Sequence, residues 1–291
     1  MHWNLEGGVA VITGAASGIG RALAKRLARE KMSLALVDVD ANGLEQTVSQ
    51  LGITRENIST HVADVADAAA IERLATQVIE HHAHVTLLVN NAGVAVLGTF
   101  EEISLEEFNW LMRINFWGVV HGVKCFLPLL RREPRAHIAN VSSALGLVAS
   151  AGNVAYCASK FAVRGFTEAL QHELNGTNVR VSCVLPGKIR TQFSLRQRIS
   201  AGAIRSSDID RYGVHRLGLT SPAAAADRMV EGIIRGERRI LIGPDAIWFE
   251  RLQRVFPARY EQALRSLRII RGLIGTHSAA RPEQKDASDA Q

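Results

Sequence analysis

The sequence has few of the residues and patterns that mark specialised classes of protein. It contains three cysteines among 291 residues, and Cys125, Cys157 and Cys183 form no Cys-x-x-Cys pair, so we expect reduced, structural thiols. No apolar run is long enough to span a membrane. The first residues also lack the charged and apolar blocks of a signal peptide. Together these absences predict a globular protein of the cytoplasm.

Patterns that would identify a nucleic-acid or metal ligand are also missing. The formal net charge is +6 and the sequence pI is about 9.6, which favours attraction to anions without identifying a partner. No basic arm carries interleaved aromatic residues, so we expect no nucleic-acid binding. His81, His82 and His84 lie close together, but no nearby cysteine or carboxylate completes a ligand set, and we predict no metal site.

Short apolar runs alternate with longer amphipathic stretches along most of the chain. This alternation predicts repeated βα units around a parallel sheet that is buried on both faces. The predicted strands are 9–13, 33–38, 58–62, 86–89, 137–141, 179–184 and 239–242. The predicted helices are 18–30, 42–51, 66–82, 105–130, 154–175 and 222–235. Asp67 and Ser104 are candidate N-caps, and Pro222 suits a first helical turn.

A glycine-rich turn joins the first predicted strand directly to the first predicted helix. Its glycines permit a tight turn and a close approach of the backbone to a pyrophosphate, whose charge is met by the free amides at the helix start. Because the turn lies between a strand and a helix, it predicts a dinucleotide site. The residues assigned to this site are Gly14, Ser17, Gly18, Ile19 and Gly20.

An acidic residue, Asp38, ends the second predicted strand. At this place a carboxylate accepts hydrogen bonds from the ribose hydroxyls of adenosine and repels a 2′-phosphate. Neither Ser17 nor Val39 is an Arg or Lys that could bind such a phosphate. The position therefore favours NAD over NADP. The alternative is that Asp38 caps the following helix, although Asp40 or Asn42 could serve as that cap.

Tyr156 and Lys160 are four residues apart in a predicted helix. This spacing places both side chains on one face, so that a phenol lies beside an ammonium that favours its ionised form. Such a pair can donate and accept a proton. By itself the spacing also fits an ordinary solvated helix pair.

Taken together, these motifs resemble the short-chain dehydrogenase/reductase family, over roughly residues 5–245. The motifs that carry the resemblance are Thr13-Gly14-x-x-x-Gly18-x-Gly20, Asn90-Asn91-Ala92-Gly93, and Tyr156-x-x-x-Lys160 with Ser143 upstream. The resemblance implies a single Rossmann-type, doubly wound sheet in the α/β class, with seven parallel strands in the order 3-2-1-4-5-6-7 and helices on both faces. The cofactor then lies across the carboxyl edge of the sheet.

The resemblance also assigns further cofactor contacts. Asp64, next to Val65, would hydrogen-bond the adenine amino group, and Lys160 would hold the hydroxyls of the nicotinamide ribose. Asn90 would support the cofactor and the backbone at the end of the fourth strand, or it is an ordinary turn residue. The remaining contacts implied by the family are Asn91, Ala92, Gly93, Tyr156, Pro186, Gly187, Ile189 and Thr191.

Four side chains are the predicted catalytic set. Bound nicotinamide exchanges the hydride, so the protein must manage the hydroxyl proton. We predict that Lys160 and the positive nicotinium ring lower the pKa of Tyr156 toward the working range. Ser143 would hydrogen-bond the substrate oxygen, whereas its neighbour Ser142 is interpreted as structural. By resemblance, Asn115 supports a water chain to Lys160; the alternative is a structural helix bend.

We predict three regions along the chain: a catalytic domain at 1–244, a helical extension at 245–275 and a disordered tail at 276–291. Within the first, residues 188–220 form a substrate lid. Its basic residues could meet an anionic substrate such as an acyl thioester of coenzyme A, or they are solvated surface residues. The basic residues are Lys188, Arg190, Arg196, Arg198, Arg205, Arg211 and Arg216.

The extension at 245–275 is rich in aromatic, aliphatic and Arg residues. It is predicted to be a helical cap or a subunit contact, with a membrane-surface helix and a loosely packed tail as the less favoured alternatives. The long helices at 105–130 and 154–175 correspond to the usual subunit interface of the family, which implies a homodimer or homotetramer. Their apolar residues are equally explained by packing on the sheet.

The predicted activity is NAD-dependent interconversion of a secondary alcohol and a ketone, with Tyr156 as general acid and base. An apolar or lipid-like substrate is compatible with the helical extension. One alternative is an NADPH-dependent carbonyl reductase of the 3-oxoacyl type, which Asp38 disfavours. A second is a non-catalytic protein that senses NAD. Such chains usually lose the Tyr or the Lys of the catalytic pair, and both are present here.

Overall fold

A seven-stranded parallel sheet forms the centre of the computed structural model, which describes residues 3–191, 193, 198–200 and 219–262. The strands of this sheet are β1 (Val9–Thr13), β2 (Ser33–Asp38), β3 (Ile58–Val62), β4 (Leu87–Asn90), β6 (Ala136–Val141), β7 (Val179–Pro186) and β9 (Arg239–Ile242). Two short strands, β5 (Val96–Leu97) and β8 (Arg198–Ile199), pair with each other in a separate parallel sheet. That small sheet was not predicted.

The strand order of the large sheet is β3-β2-β1-β4-β6-β7-β9. With the small sheet left out of the count, this is the predicted order 3-2-1-4-5-6-7, and all neighbouring strands are parallel. The order reverses between β1 and β4, and ligands of open α/β sheets bind outside the carboxyl ends of the strands at such a reversal. The predicted fold class is confirmed.

Eight α-helices connect the strands or follow them in the described part of the chain. They are α1 (Gly18–Arg29), α2 (Ala41–Val48), α3 (Ala68–His82), α4 (Leu105–Met112), α5 (Gly118–Leu130), α6 (Val154–Glu173), α7 (Pro222–Arg235) and α8 (Pro244–Val255). Asp67 caps α3 and Ser104 forms a capping box with Glu107 at α4, so both predicted N-caps are confirmed. Pro222 lies in the first turn of α7, as predicted. None of these helices is long and apolar enough to cross a membrane.

The predicted continuous helix at 105–130 is wrong in one respect. A π-helix at Arg113–Trp117 separates α4 from α5. A π-turn inserts an extra residue into the helix, and such insertions are frequent at functional sites. Here the insertion contains Asn115, one of the predicted catalytic residues. Other predicted boundaries differ less, the largest shift being the end of α2, at 48 instead of 51.

Apolar residues cover both faces of the sheet because successive side chains of a strand point to opposite sides. On one face Ala10 and Ile12 of β1 pack with residues of α1, α2 and α7. On the other face Val9 and Val11 pack with residues of α3, α5 and α6. Because helices cover both faces of the sheet, polar side chains can meet a ligand at the edge formed by the carboxyl ends of the strands.

The helix α8 packs against the chain that follows β6. Ala246 and Phe249 of α8 join a buried cluster with Leu147 and Val148, and Tyr260 lies at the border of that cluster. The first part of the predicted extension is therefore a helix docked on the catalytic domain. The rest of the extension and the predicted tail, at 263–291, lie outside the described residues, as does most of the predicted lid.

Candidate active site

The turn between β1 and α1 has the geometry of a binding loop. Gly14 and Gly18 have φ values of +69° and +55°, which side chains rarely adopt. A Cβ at Gly20 would collide with the carbonyl oxygen of Gly14, so the turn and the helix can approach this closely only with glycine. Ser17 precedes α1 and makes no side-chain capping bond, which leaves the first amides of the helix for an anion.

Thr13 and Asn91 fasten this turn to the end of β4. The Thr13 hydroxyl accepts hydrogen bonds from the backbone N–H groups of Asn91 and Ala92, at 2.9 and 3.0 Å. The Asn91 amide donates to the carbonyl oxygens of Thr13 and Gly14, at 2.9 and 3.3 Å. The two glycine-containing motifs of the sequence thus meet across the gap where the strand order reverses.

Asp38 lies beside the same turn. Its Oδ2 accepts a hydrogen bond from the backbone N–H of Ala16 at 3.0 Å, and its Oδ1 accepts one from Asp40 at 3.1 Å. The N-cap of α2 is Asp40, whose carboxylate accepts the N–H of Gly43 at 2.9 Å. The alternative interpretation of Asp38 as that cap is therefore wrong. A carboxylate held against the glycine turn fits the ribose hydroxyls of a dinucleotide and repels a 2′-phosphate.

The other predicted adenosine contacts lie at the carboxyl end of β3, on the same edge of the sheet. Asp64 is exposed and accepts a hydrogen bond from the N–H of Ala66 at 2.9 Å. Val65 is buried, and a Cβ at Gly118 would meet its side chain at 2.7 Å. Asp64 is thus available to a ligand, whereas Val65 sets the position of the backbone.

The segment 186–191 reaches from the end of β7 to the start of α1. A Cβ on Gly18 would lie 3.4 Å from a methyl carbon of Thr191, so the far end of the segment contacts the glycine turn. A surface cleft of about 600 Å³ opens at this place, with Ser17, Arg190 and Thr191 among its lining residues. The glycine turn, Asp38 and this segment together fit a dinucleotide with its pyrophosphate at the start of α1.

Tyr156 and Lys160 lie on the first turns of α6, as the spacing predicts. The Lys160 Nζ atom is 5.7 Å from the centre of the Tyr156 ring and donates a hydrogen bond to the carbonyl oxygen of Val141 at 3.0 Å. Lys160 is 3% exposed. A buried ammonium beside a phenol at the carboxyl end of β6 is suited to proton transfer and to binding of hydroxyl groups.

Burial dominates the pKa values of this pair. Burial raises the pKa of Tyr156 to about 12, and a hydrogen bond with Ser143 acts in the opposite direction. Burial also lowers the pKa of Lys160 to about 8. For the chain by itself, the direction at Tyr156 is the reverse of the prediction. The reason is that loss of water around the phenolate outweighs the hydrogen bond with Ser143 in setting the pKa of Tyr156.

Ser143 and Ser142 follow β6 but have different surroundings. Ser143 begins a 3₁₀-helix at Ala144–Gly146, is partly exposed, and accepts the N–H of Leu145 at 3.1 Å. Ser142 is buried and donates to the backbone carbonyl of Lys160 at 2.7 Å. Ser143 is therefore the serine that a substrate can reach, and Ser142 holds the first turns of α6 against β6.

Asn115 is buried and makes three hydrogen bonds from the π-helix. Its Oδ1 accepts the N–H of Val94 at 2.8 Å, and its Nδ2 donates to the Val94 carbonyl at 2.9 Å and to Ser159 Oγ at 3.0 Å. A Cβ on Gly93 would lie 3.3 Å from Asn115 Oδ1 and 3.4 Å from Lys160 Nζ. The structure thus brings Asn115, Gly93 and Lys160 together.

Asn90 does not line the cleft. Its amide donates to Asn140 Oδ1 at 2.9 Å inside the sheet, and its own Oδ1 is buried against Gly122, with no hydrogen-bond partner among the described residues. Asn140 donates in turn to Thr167 of α6 at 3.1 Å. Asn90 therefore supports the backbone below the site, which agrees with one part of its prediction, and its support of the cofactor stays a prediction.

Three residues of the site were not predicted. Thr13 organises the backbone of Asn91 and Ala92, as described above. Ser159 donates to the Tyr156 carbonyl at 2.8 Å and accepts the Asn115 amide, so it links the π-helix to α6. The Phe193 ring lies 6.1 Å from the Tyr156 ring. Thr13 begins the glycine motif and Ser159 precedes Lys160, so both positions carried a local signal, but the contacts that give these residues their roles join distant parts of the chain.

The comparisons with known proteins agree with this geometry. A family model described as short chain dehydrogenase matches residues 8–200. The chain belongs to this family. Short-chain dehydrogenases are oxidoreductases, and the oxidoreductase SadH of Mycobacterium tuberculosis strain H37Rv is 39% identical over 261 residues, which cover 89% of this chain and 94% of the relative.

Two further relatives support membership in the short-chain dehydrogenase family. D-threitol dehydrogenase of Mycolicibacterium smegmatis is 34% identical over 245 residues, covering 79% of this chain and 94% of that protein. The crystal structure of a short chain dehydrogenase/reductase from Burkholderia phymatum, in complex with NAD, is 33% identical with a TM-score of 0.80. That match covers 88% of this chain and 95% of the other.

Proposed function

We propose that this short-chain dehydrogenase interconverts a secondary alcohol and a ketone with NAD. The observation that carries the proposal is the Lys160 Nζ atom 5.7 Å from the Tyr156 ring, with Ser143 hydrogen-bonded to Tyr156, at the sheet edge that also holds the glycine turn. A proton donor and a dinucleotide loop at one edge are the two parts that hydride transfer to a carbonyl requires.

Each residue of the predicted set has a distinct role in this proposal. When bound, nicotinamide supplies or accepts the hydride. Tyr156 gives its hydroxyl proton to the ketone oxygen, or takes the proton of the alcohol in the reverse direction. Ser143 donates a hydrogen bond to the substrate oxygen as charge develops on it. Lys160 binds ribose hydroxyls and favours the phenolate, and Asn115 supports proton passage to Lys160.

The cofactor is proposed to be NAD because Asp38 holds a carboxylate against the glycine turn. The match to a structure in complex with NAD is further support. In this proposal Gly14, Ser17 and Gly18 face the pyrophosphate, Asp64 binds adenine, and the segment 186–191 meets the nicotinamide. The alternative of an NADPH-dependent 3-oxoacyl-type reductase predicts tighter binding of NADPH than of NADH, and a titration with both cofactors separates the two.

An apolar substrate is proposed from the surroundings of Tyr156. Tyr156 packs against a buried hydrophobic cluster that includes Val96 and Leu111, and its ring centre lies 6.1 Å from that of Phe193. An apolar wall next to the proton donor favours substrates that carry their alcohol or ketone on a hydrocarbon skeleton. A charged substrate such as an acyl thioester of coenzyme A would have to place its charges farther from Tyr156.

A homodimer or homotetramer is proposed from the outer surface of the π-helix and α6. Trp117 is 49% exposed and Phe161 is 39% exposed, so packing on the sheet does not account for either. Exposed aromatic residues on neighbouring helices are typical of a subunit contact. Sedimentation of the wild-type chain and of Trp117→Lys tests this, since the substitution should shift the chain toward monomer. The three free cysteines support a proposed cytoplasmic location.

The activity is tested by screening secondary alcohols with NAD while following the absorbance of NADH. We expect turnover with apolar alcohols and a loss of roughly 10²- to 10⁴-fold in Tyr156→Phe, because this change removes the transferable proton. The variant should still bind NADH, because the glycine turn and Asp38 are unchanged. Retained turnover in Tyr156→Phe would contradict the mechanism. NADH binding without turnover across a broad panel would favour the non-catalytic alternative.

A further inference from the structure

The first turn of α8 places a carboxylate against the segment 186–191. Asp245 Oδ2 accepts a hydrogen bond from the backbone N–H of Lys188 at 2.6 Å. The carboxylate lies directly on the Cα of Gly187, where any Cβ would overlap it. A Cβ on Gly243 would lie 2.6 Å from Asp245 Oδ1. Two glycines therefore form a cradle that a carboxylate of this length fills.

Neither its place in the first turn of α8 nor the charge of Lys188, which attracts it, requires the Asp245 carboxylate to lie against Gly187. Oδ1 is buried and has no hydrogen-bond partner among the described residues. Asp245 also makes no capping bond at the start of α8. Because an unpartnered buried carboxylate oxygen is unfavourable for folding, its position calls for another reason. The contact that the carboxylate does make is with the proposed nicotinamide segment.

The segment 186–191 is held in place by three of its backbone N–H groups, those of Gly187, Lys188 and Arg190. Gly187 donates to the carbonyl of Ile242 at 2.9 Å, and Arg190 donates to that of Thr220 at 2.9 Å. The Lys188 N–H, between them, has Asp245 as its acceptor. The two outer bonds are to backbone, so the central one is the bond that depends on a side chain.

We infer that Asp245 is a positioning residue for the nicotinamide end of the cofactor. It fixes the Lys188 N–H and thereby the course of the backbone from Pro186 to Ile189, without contacting the reacting atoms. This inference rests on the proposed function, because it takes the segment 186–191 as the one that meets nicotinamide. It adds a contact to the site that comes from α8, beyond the residues of the family motifs.

The test compares the binding of two ligands that share the adenosine diphosphate ribose part. NADH carries nicotinamide and ADP-ribose does not, so both can be titrated by calorimetry against the wild-type chain and Asp245→Ala. We expect Asp245→Ala to weaken NADH binding roughly tenfold and ADP-ribose binding less than twofold. A loss of folding alone would change both affinities together.

Three further variants complete the test. Asp245→Asn retains an oxygen acceptor for Lys188 and should restore most of the NADH affinity. Asp245→Glu keeps the charge but moves the carboxylate out of the glycine cradle, so its affinities should match those of Asp245→Ala. If Asp245→Ala does not fold, Asp245→Glu takes its place in the comparison. Glu250→Ala lies on the same helix, where Glu250 pairs with Arg254, and should leave both affinities unchanged.

The outcomes separate the inference from the proposed function. The inference alone is overturned if the wild-type chain binds NADH and Asp245→Ala loses as much affinity for ADP-ribose as for NADH. It is also overturned if Asp245→Ala loses no affinity for either ligand. The same holds if Asp245→Asn is as weak as Asp245→Ala. Wild-type chain that binds no NADH would overturn the proposed cofactor and the inference with it.

Discussion

The two ends of the proposed cofactor site are built in different ways. At the adenosine end, the turn after β1 is held by Asp38 and Asn91, and every hydrogen bond described there joins residues of the first 92 positions. At the nicotinamide end, Asn115 is held by Val94, and the segment 186–191 is held by residues from 220 to 245.

The two ends are therefore expected to have different tasks, cofactor binding at the adenosine end and hydride and proton transfer at the nicotinamide end. The hydrogen bonds described at the adenosine end all come from the first half of the chain. The glycines of its turn adopt backbone angles that other residues rarely adopt. The nicotinamide end requires the π-helix, α6 and α8 to be in place together. We therefore expect substitutions at the adenosine end to reduce cofactor affinity, and substitutions at the nicotinamide end to reduce turnover or the recognition of nicotinamide.

The largest effect is expected from Gly20→Ala at the adenosine end. Its Cβ would collide with the Gly14 carbonyl and would lie 2.8 Å from the Asn91 amide, so the turn must open. We expect NADH affinity to fall roughly a hundredfold. Gly165→Ala is the matched control, because nothing lies within 4 Å of the added methyl group on α6. Equal affinities for the two variants, measured by NADH fluorescence, would contradict the assigned role of the turn.

Asn115→Ala tests the nicotinamide end. The change leaves the partly buried N–H and carbonyl of Val94 without their side-chain partner and removes a fully buried amide, so we expect a loss of about 2–3 kcal/mol in the free energy of unfolding. We also expect turnover to fall while ADP-ribose affinity is retained. Urea unfolding and steady-state kinetics measure the two effects. The exposed Asn109→Ala should change the free energy of unfolding by less than about 0.5 kcal/mol.

A third test concerns the amino end of β6, on the side of the sheet away from the proposed cofactor site. His137 of β6 is buried, contacts Ser182 Oγ at 2.8 Å and stacks on Trp3, and burial lowers its pKa to about 3. Between its ordinary value of 6.5 and pH 3, the unfolded chain binds a proton that the folded chain does not, so stability falls as the pH falls below 6.5. At pH 5 this amounts to about 2 kcal/mol.

Urea unfolding at pH 7 and pH 5 measures that loss. His137→Gln should be less stable at pH 7 but should lose about 2 kcal/mol less than the wild-type chain on acidification. His172→Gln, at an exposed position, should follow the wild-type chain. An unchanged pH dependence in His137→Gln would mean that the buried imidazole is not the responsible group. His61 and His82, whose pKa values are also lowered by burial, would then be the next candidates.

The smallest effect is expected from Asp38→Asn. The amide keeps an oxygen for the N–H of Ala16 but removes the negative charge that repels a 2′-phosphate. We expect the ratio of NADPH to NADH affinity to rise roughly tenfold. Asp67→Asn, at the N-cap of α3, should leave this ratio unchanged. A constant ratio in Asp38→Asn would place the cofactor preference elsewhere.

The sequence predicted the parts of the molecule that depend on local spacing. The strands, the glycine turn and the Tyr156–Lys160 pair each follow from residues a few positions apart, or from an alternation that repeats along the chain, whereas the strand order was implied by the resemblance to the family. Their agreement with the structure reflects the burial of both sheet faces, which leaves strands few alternatives. The predicted helix boundaries agreed less well with the structure, because the caps and last turns of helices depend on contacts with neighbouring elements.

Contacts between distant residues were not predictable in the same way. The π-helix at Asn115 depends on Val94, the Asp245 cradle depends on Gly187, and neither partner is suggested by local sequence. The pKa of Tyr156 was predicted in the wrong direction for the chain by itself, since spacing indicates the charge nearby but not the water lost on burial.

The parallel bridge between Ile189 and Thr220 has a consequence for how this enzyme can be altered. It brings the two ends of the intervening segment together before that segment contributes any contact of its own. The entropy of closing a loop grows slowly with length, by about 0.6 kcal/mol for each doubling. Segments of other lengths, taken from related dehydrogenases, can therefore be exchanged between Thr191 and Thr220, which leaves the proposed cofactor segment 186–191 intact and makes the stretch a place to graft new substrate preferences.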